Sequence, residues 1–151
     1  MEARHETNPS MVQKQCKQIA PDRCFDWIFY LSMIRVLIID DQPAFRKQLC
    51  SVLNFTGLVV AGEAATIRAA LKLLPVVSAD LAIVDVDLPG INGIQGTLLL
   101  KKASPKLRVI LVSAYSDQSA LFKQAAASVG AEKFISKEHL DPEVIKGWGR
   151  S

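Results

Sequence analysis

The sequence has few cysteines and histidines, and this shortage excludes several kinds of site. Its 151 residues include three cysteines and two histidines, and no two cysteines have C-x-x-C spacing. An odd and scattered set of cysteines builds neither a disulfide framework nor a zinc site. This composition is typical of a reducing compartment, so we expect a cytoplasmic location.

Long apolar runs and a strong charge are also missing. The longest apolar run near the start, residues 27–31, is far too short for a membrane span and has no signal-peptide cleavage pattern. The formal net charge is +3, and the basic residues between 101 and 108 are typical of a solvated helix end and loop. We therefore expect neither membrane association nor direct nucleic-acid binding.

The first 33 residues lack a regular apolar pattern. They are polar and contain Pro9 and Pro21, so we expect a flexible or weakly ordered N-terminal extension. Met33 directly precedes the first clear strand, which leaves it as an alternative start of the natural domain. A chain of this length holds one full core and is too short for two, so residues 34–151 are expected to form a single domain.

From residue 34 onwards, short apolar runs alternate with segments of helical periodicity. The expected strands are Val36–Ile39, Leu58–Ala61, Leu81–Val84, Val109–Val112 and a short one from Phe134. Continuous aliphatic runs are typical of parallel strands that helices cover on both faces. Pro75 and Gly130 are expected to end the second and fourth helices, and Asp141-Pro142 to begin the last. The pattern predicts an α/β fold, a doubly wound five-stranded parallel sheet in a three-layer sandwich.

The turn after the first strand lacks the glycines of a phosphate-binding loop. Asp40-Asp41-Gln42-Pro43 stands there instead. This disfavours both a dinucleotide-binding site and a P-loop.

Polar side chains follow four of the five expected strands. Asp40 and Asp41 follow the first strand, Asp85 the third, Ser113 the fourth and Lys137 the fifth. Each alone is typical of a turn, a helix cap or a solvated lysine, but the carboxyl ends of parallel strands meet at one edge, where such sheets bind ligands. Clustered carboxylates favour a hard cation, of which Mg²⁺ fits best, and the hydroxyl and ammonium can hold a phosphoryl group. The set predicts phosphoryl transfer with a carboxylate nucleophile.

Five segments then carry a family resemblance: Ile38–Asp41, Val84–Gly90 with Asn92-Gly93, Val112–Ala114, Gly130-Ala131 and Phe134–Lys137. They resemble the receiver domain of bacterial two-component response regulators, over residues 34 to about 150. The resemblance implies the flavodoxin-like fold of that family and phosphorylation by a sensor histidine kinase or a phosphotransfer protein. It also implies a signalling domain that catalyses only its own phosphorylation and dephosphorylation.

The resemblance further implies a role for each matching residue. Asp40, Asp41 and Asp85 would bind Mg²⁺ together with the backbone carbonyl of Asp87, and Asp85 would be the phosphoacceptor. Asp87 and Tyr115 would flank the path of the hydrolytic water and tune the lifetime of the phosphorylated state.

Signal output follows from the same resemblance. Ser113 and Lys137 would hold the phosphoryl group, and coupled movements of Ser113 and Phe134 would switch the face formed by the fourth helix, fifth strand and last helix. We expect this face, including residues 121–129, to bind a partner or form a homodimer. Glu138 stands where many family members have proline, which leaves the shape of that loop open.

Two rival functions remain at this point. Haloacid-dehalogenase-type phosphatases also use Asp-x-Asp, but their motif follows the first core strand, whereas Asp85-Val86-Asp87 follows the third. A non-catalytic module of the same fold would usually lose an acid or the lysine, and this chain keeps all of them. The chain has no room for an output domain, so we expect a stand-alone regulator or a receiver cut from a longer chain, the short last helix favouring the latter.

Overall fold

The computed structural model describes residues 33–114 and 119–149. The expected extension, residues 1–33, lies almost wholly outside this range, so the division of the chain at residue 33 stays a prediction. Among the described residues, no helix has the length and apolar character needed to cross a membrane.

Strands and helices alternate along the described chain, as the sequence predicts. The strands are β1 (Arg35–Ile39), β2 (Val59–Ala64), β3 (Leu81–Asp85), β4 (Arg108–Ser113) and β5 (Lys133–Ser136). The helices are α1 (Pro43–Phe55), α2 (Ile67–Val77), α3 (Gly93–Ala103), α4 (Ser119–Ser128) and α5 (Pro142–Lys146), with 3₁₀ turns at Lys137–His139 and Gly147–Gly149. The sheet is parallel throughout, in the order β2-β1-β3-β4-β5. This confirms the doubly wound α/β class.

The sheet separates two hydrophobic cores. Side chains alternate along each strand, so Leu37 and Ile39 of β1 enter one core, while Val36 and Ile38 enter the other. The first core lies under α2, α3 and α4, and the second lies under α1 and the C-terminal segment that contains Trp148. Full burial of an aliphatic side chain contributes about 1.5–3 kcal/mol to the free energy of folding. Because every strand contributes side chains to the two cores, the cores hold the strands, and therefore their ends, in fixed positions relative to one another.

The expected end of the second helix at Pro75 is wrong. Helix α2 includes Pro75 and continues to Val77, after which Ser78 adopts a left-handed conformation with φ 49°. A proline so close to the end removes a hydrogen bond only in the last turn. The carbonyl of Val77, which as a helix-terminal group has no partner within α2, accepts from Nε and Nη2 of Arg35 at 3.3 and 3.1 Å.

Three other expectations about the elements differ from the structure. Strand β2 runs on to Ala64 because Glu63 and Ala64 pair with β1 after a one-residue shift in register. Helix α3 begins at Gly93 and not at Gly96, where the leucine-rich stretch predicts its start, because the side chain of Asn92 accepts a hydrogen bond from the backbone of Gln95 at 2.9 Å. Leu121, which the helical spacing predicts on the apolar face of the fourth helix, is instead 78 % exposed.

Gly93 fixes how closely α3 approaches the sheet. Its backbone N–H donates to the carbonyl of Val86 at 2.9 Å. A Cβ at this position would collide with the backbone carbonyl of Asp85, which cannot move without distorting the end of β3. The tight approach therefore requires glycine.

We predict that Gly93→Ala lowers the free energy of unfolding by about 2 kcal/mol or more, because a backbone clash leaves no low-energy repacking. Gly147→Ala is the control, since no atom lies within 4 Å of the added Cβ, and its effect should stay within about 0.5 kcal/mol. Urea denaturation measures both. Equal destabilisation of the two variants would contradict the view that the close approach of α3 to β3 requires glycine at position 93.

Candidate functional site

The structure brings the predicted polar residues to one edge of the sheet. Asp40 follows β1, Asp85 ends β3, Ser113 ends β4, and Lys137 follows β5. Strands β1 and β3 are neighbours, with Ile39 opposite Val84. Asp40 and Asp85 are therefore adjacent, and both are almost fully buried, at 1 % and 3 % exposure.

The backbone around Asp40 is held by several hydrogen bonds. Its N–H donates to the carbonyl of Ala64 at 3.0 Å, and its Oδ1 accepts from the N–H of Gln42 at 2.8 Å. Arg46 donates from Nη1 to the carbonyl of Asp40 at 2.6 Å and pairs through Nε with Glu63 at 3.2 Å. These contacts fix the turn and leave Oδ2 of Asp40 to the site.

Lys137 lies between the two buried carboxylates. Its Nζ is 2.6 Å from Oδ2 of Asp40 and 3.4 Å from Oδ2 of Asp85. Oδ2 of Asp40 is buried and accepts no hydrogen bond of good geometry, so the close contact is an ion pair without a directed bond. The ammonium also lies 4.1 Å from the centre of the Phe45 ring.

The surroundings of Asp85 oppose its negative charge. Burial raises the pKa of its carboxyl group above the ordinary value, and the charge of Asp40 raises it further. The ammonium of Lys137 and a 3.2 Å hydrogen bond from the N–H of Asp87 to Oδ1 act in the other direction without cancelling the effect. The site holds more negative charge than its lysine compensates.

The three acids are close enough for a divalent cation. Asp40, Asp41 and Asp85 each offer an oxygen within 4.8 Å of the others, whereas Mg²⁺ holds oxygens at 2.0–2.1 Å and hence at most about 4.2 Å apart. A small inward movement would suffice. Asp41 is exposed, which leaves room for the water ligands that Mg²⁺ retains. Together with the unsatisfied Oδ2 of Asp40, this donor set fits Mg²⁺.

Of the remaining predicted residues, the structure describes Ser113, Phe134 and Asp87. Ser113 is fully buried and pairs in register with Ser136 of β5. Phe134 stacks on Phe122 of α4, with ring centres 5.6 Å apart and planes 7° apart. Asp87 is exposed, and Tyr115 lies outside the described residues.

The loop that contains Glu138 has a defined shape without proline. Glu138 lies in the 3₁₀ turn Lys137–His139, and its N–H donates to Oγ of Ser136 at 3.4 Å. Among residues 33–114 and 119–149 no peptide bond is cis. A trans peptide and a serine cap therefore place Lys137 in the site.

Two residues near the lysine and the acids were missed in the sequence. The spacing of Phe45 from Leu49 and Leu53 predicts only a place on the apolar face of α1, and no sequence motif marks Arg46 as a site residue. The spacing of Arg46, five residues after Asp41, gives no local signal because its partner Glu63 lies on β2. The helical position of Phe45 was predictable, but its contact with Lys137 required the position of β5.

We predict that Asp85→Asn raises the free energy of unfolding at neutral pH in metal-free buffer, because the amide removes a buried charge and leaves Lys137 paired with Asp40. A raised folded-state pKa costs the wild type stability above that pKa, and this cost disappears as pH falls through it towards the ordinary aspartate range. The advantage of the variant should shrink over the same interval.

Denaturant titrations across acidic and neutral pH measure this difference. Asp87→Asn is the matched control, since that carboxyl group is exposed on the same loop, and its effect should stay within about 0.5 kcal/mol. Lower stability of Asp85→Asn than of the wild type at neutral pH would contradict the charge balance described here.

Comparison with known proteins gives the same family as the site. The family model of the response regulator receiver domain matches residues 36–147. The NarL protein of Mycobacterium tuberculosis is 32% identical over 114 residues, which are 75% of this chain and 52% of NarL. CheY of Thermotoga maritima is 31% identical over 112 residues, 74% of this chain and 92% of CheY. The chain thus spans about half of NarL and nearly all of CheY.

Solved structures agree. The signal receiver domain of M. tuberculosis NarL superposes with a TM-score of 0.68 at 28% identity, covering 77% of this chain and 92% of that one. A Burkholderia pseudomallei response regulator was solved with a phosphorylated aspartic acid and a calcium ion. It superposes with a TM-score of 0.65 at 26% identity, and the alignment covers 74% of this chain and 64% of that one. With the match over residues 36–147, this shows that the chain belongs to the response regulator receiver domain family of two-component signalling proteins.

Proposed function

We propose that Asp85 accepts a phosphoryl group from a sensor histidine kinase or a phosphotransfer protein. The observation that carries this proposal is the position of Asp85, buried at the end of β3 beside the charge of Asp40 and 3.4 Å from the ammonium of Lys137. A carboxylate in that position is poorly solvated and is offset by only one cation. Such a group is favoured as a nucleophile towards an electrophilic phosphorus.

In the proposed step, a carboxylate oxygen of Asp85 forms a bond to phosphorus while the bond from phosphorus to the donor breaks, and the leaving group takes up a proton. Lys137 would turn from Asp40 towards the transferred phosphoryl oxygens, and the hydroxyl of Ser113 would donate to them. Apart from the attack by Asp85, the protein would contribute by positioning the reacting groups and by stabilising the charge on the phosphoryl oxygens.

Asp40, Asp41, Asp85 and the backbone carbonyl of Asp87 would hold Mg²⁺. When bound, the cation would neutralise the charge that gathers on the phosphoryl oxygens. The Burkholderia relative, with its phosphorylated aspartic acid and calcium ion, supports an arrangement of this kind.

We also propose that phosphorylation switches the face formed by α4, β5 and α5. Inward movement of Ser113 would open space for the ring of Phe134, and that ring is stacked on Phe122 of α4. A rotation of Phe134 must therefore disturb α4. The exposed Leu121 on the same helix supports a role for this face in partner binding or homodimerisation.

Other aspects of the function stay as predictions. Asp87 and Tyr115 would tune the lifetime of the aspartyl phosphate by flanking the path of water. The protein would act in the cytoplasm, without direct contact to nucleic acid or membrane. Two forms of signal output fit the comparisons, since the chain spans about half of NarL but nearly all of CheY. It would act either within a longer protein or as a separate receiver domain.

Phosphorylation can be tested directly with acetyl phosphate and Mg²⁺. We expect one added phosphoryl mass on the wild type and none on Asp85→Asn, because the variant lacks the proposed nucleophile, the carboxylate beside Asp40 and Lys137. Intact-protein mass spectrometry measures both. Equal labelling of the variant would contradict the assignment, and multiple turnover of a phosphate monoester would favour a phosphatase.

The metal site makes a separate prediction. Loss even of an outer-shell partner typically weakens metal binding 10- to 100-fold, so Asp41→Asn should weaken Mg²⁺ binding by about tenfold or more. Its stability in EDTA should be unchanged or higher, because a like charge is removed. Isothermal titration calorimetry measures the affinity. Glu143→Gln is the control, since Glu143 is exposed and its ion pair within the described part of the chain is with Lys146. Normal Mg²⁺ binding by Asp41→Asn, with a lower melting temperature in EDTA, would contradict the site.

A further inference from the structure

We infer that Phe45 is a positioning residue for Lys137, and that its ring holds the ammonium where an incoming phosphoryl group needs it. The inference rests on the proposed role of Asp85 as phosphoacceptor. It concerns a residue of α1 that contacts neither Asp85 nor the phosphoryl group and acts only through the lysine.

The geometry is that of a cation–π contact. Nζ of Lys137 lies 4.1 Å from the centre of the Phe45 ring, well inside the range of about 6 Å over which such contacts are attractive. The lysine side chain is 13% exposed, so little water competes with the ring. Desolvation strengthens the attraction between the ammonium and the negative face of the ring.

The other contacts of the ammonium do not fix its position. The 2.6 Å pair with Oδ2 of Asp40 lacks hydrogen-bond geometry, and the hydrogen bond to Oδ2 of Asp85 is long at 3.4 Å. Ion pairing alone would allow Lys137 to move between the two carboxylates. The ring restricts this movement because it occupies the side of the ammonium that faces α1.

Phe45 is itself held in place relative to the acids. It lies in the first turn of α1, two residues after Pro43 and directly before Arg46. Arg46 binds the carbonyl of Asp40 and the carboxylate of Glu63. Asp40 and Asp41 lie just before α1 and Phe45 lies in its first turn, so the spacing between these two acids and the ring is set without the loop after β5.

This arrangement gives the ring a part in both states of the site. Before phosphorylation, the ammonium rests over the ring and against Asp40. Afterwards, the ammonium needs only to move from Oδ2 of Asp40 to a phosphoryl oxygen on Asp85 while the same ring stays beneath it. The lysine side chain therefore needs little rearrangement to reach the transition state. Holding a group in place in this way raises the rate of phosphoryl transfer, because less conformational freedom is lost during the reaction.

The test is the rate of labelling by acetyl phosphate and Mg²⁺ in Phe45→Leu and Phe45→Tyr. A cation–π contact of this kind changes a rate by about threefold to tenfold, and we expect a loss of that size in Phe45→Leu. Phe45→Tyr keeps the ring and should recover most of the rate. Phe55→Leu is the matched control, since Phe55 is on the same helix but 76% exposed, and it should label at the wild-type rate.

A double-mutant cycle separates positioning from folding. In a Lys137→Ala background, Phe45→Leu should cause no further loss of rate, because the ring then has no ammonium to hold. NMR should also show ring-current shifts on the ε-methylene protons of Lys137 in the wild type and Phe45→Tyr, but not in Phe45→Leu.

Three outcomes would overturn the inference. They are a wild-type or higher rate in Phe45→Leu, an equal loss in both Lys137 backgrounds, and unshifted ε-methylene protons in the wild type. Failure of the wild type to label at Asp85 is a different result. It would contradict the proposed function and, with it, the role of the ring.

Discussion

The burial of two carboxylates side by side is the constraint on which the site depends. Asp40 and Asp85 lie in the interior at the ends of neighbouring strands, and burial and mutual repulsion both oppose their charges. One ammonium, that of Lys137, lies between them. Since one positive charge cannot balance two buried negative charges and the nearby Asp41, the site favours a cation.

The fold holds this unfavourable cluster in place. Parallel pairing of β1 with β3 puts the two acids next to each other, and the two hydrophobic cores prevent the strands from moving apart. Arg46 fixes the turn after β1, while Gly93 lets α3 approach the end of β3. Stability supplied by apolar burial is thus used to keep charged groups close together, which is a common feature of functional sites.

The sequence predicted the strands and the residues at their ends because both signals are local. A fully buried parallel strand must be a short aliphatic run, as Val36–Ile39 is, and the first polar residue after it must lie at the edge. Contacts between distant segments could not be predicted this way. The pairing of Lys137 with Asp40 depends on a 3₁₀ turn that has Glu138 in place of proline. The hydrogen bonds from Arg35 to the carbonyl of Val77, at the end of α2, join residues 42 positions apart in the chain.

The most direct measurement is a crystal structure of the protein with Mg²⁺ and beryllium fluoride, which stands in for the phosphoryl group. The account predicts beryllium fluoride on a carboxylate oxygen of Asp85, Mg²⁺ between that residue, Asp40 and Asp41, and Lys137 moved from Asp40 to a fluoride. The ring of Phe134 should also have left its stack on Phe122. Beryllium fluoride bound elsewhere, or a lysine that remains on Asp40 beside an occupied Asp85, would contradict the account.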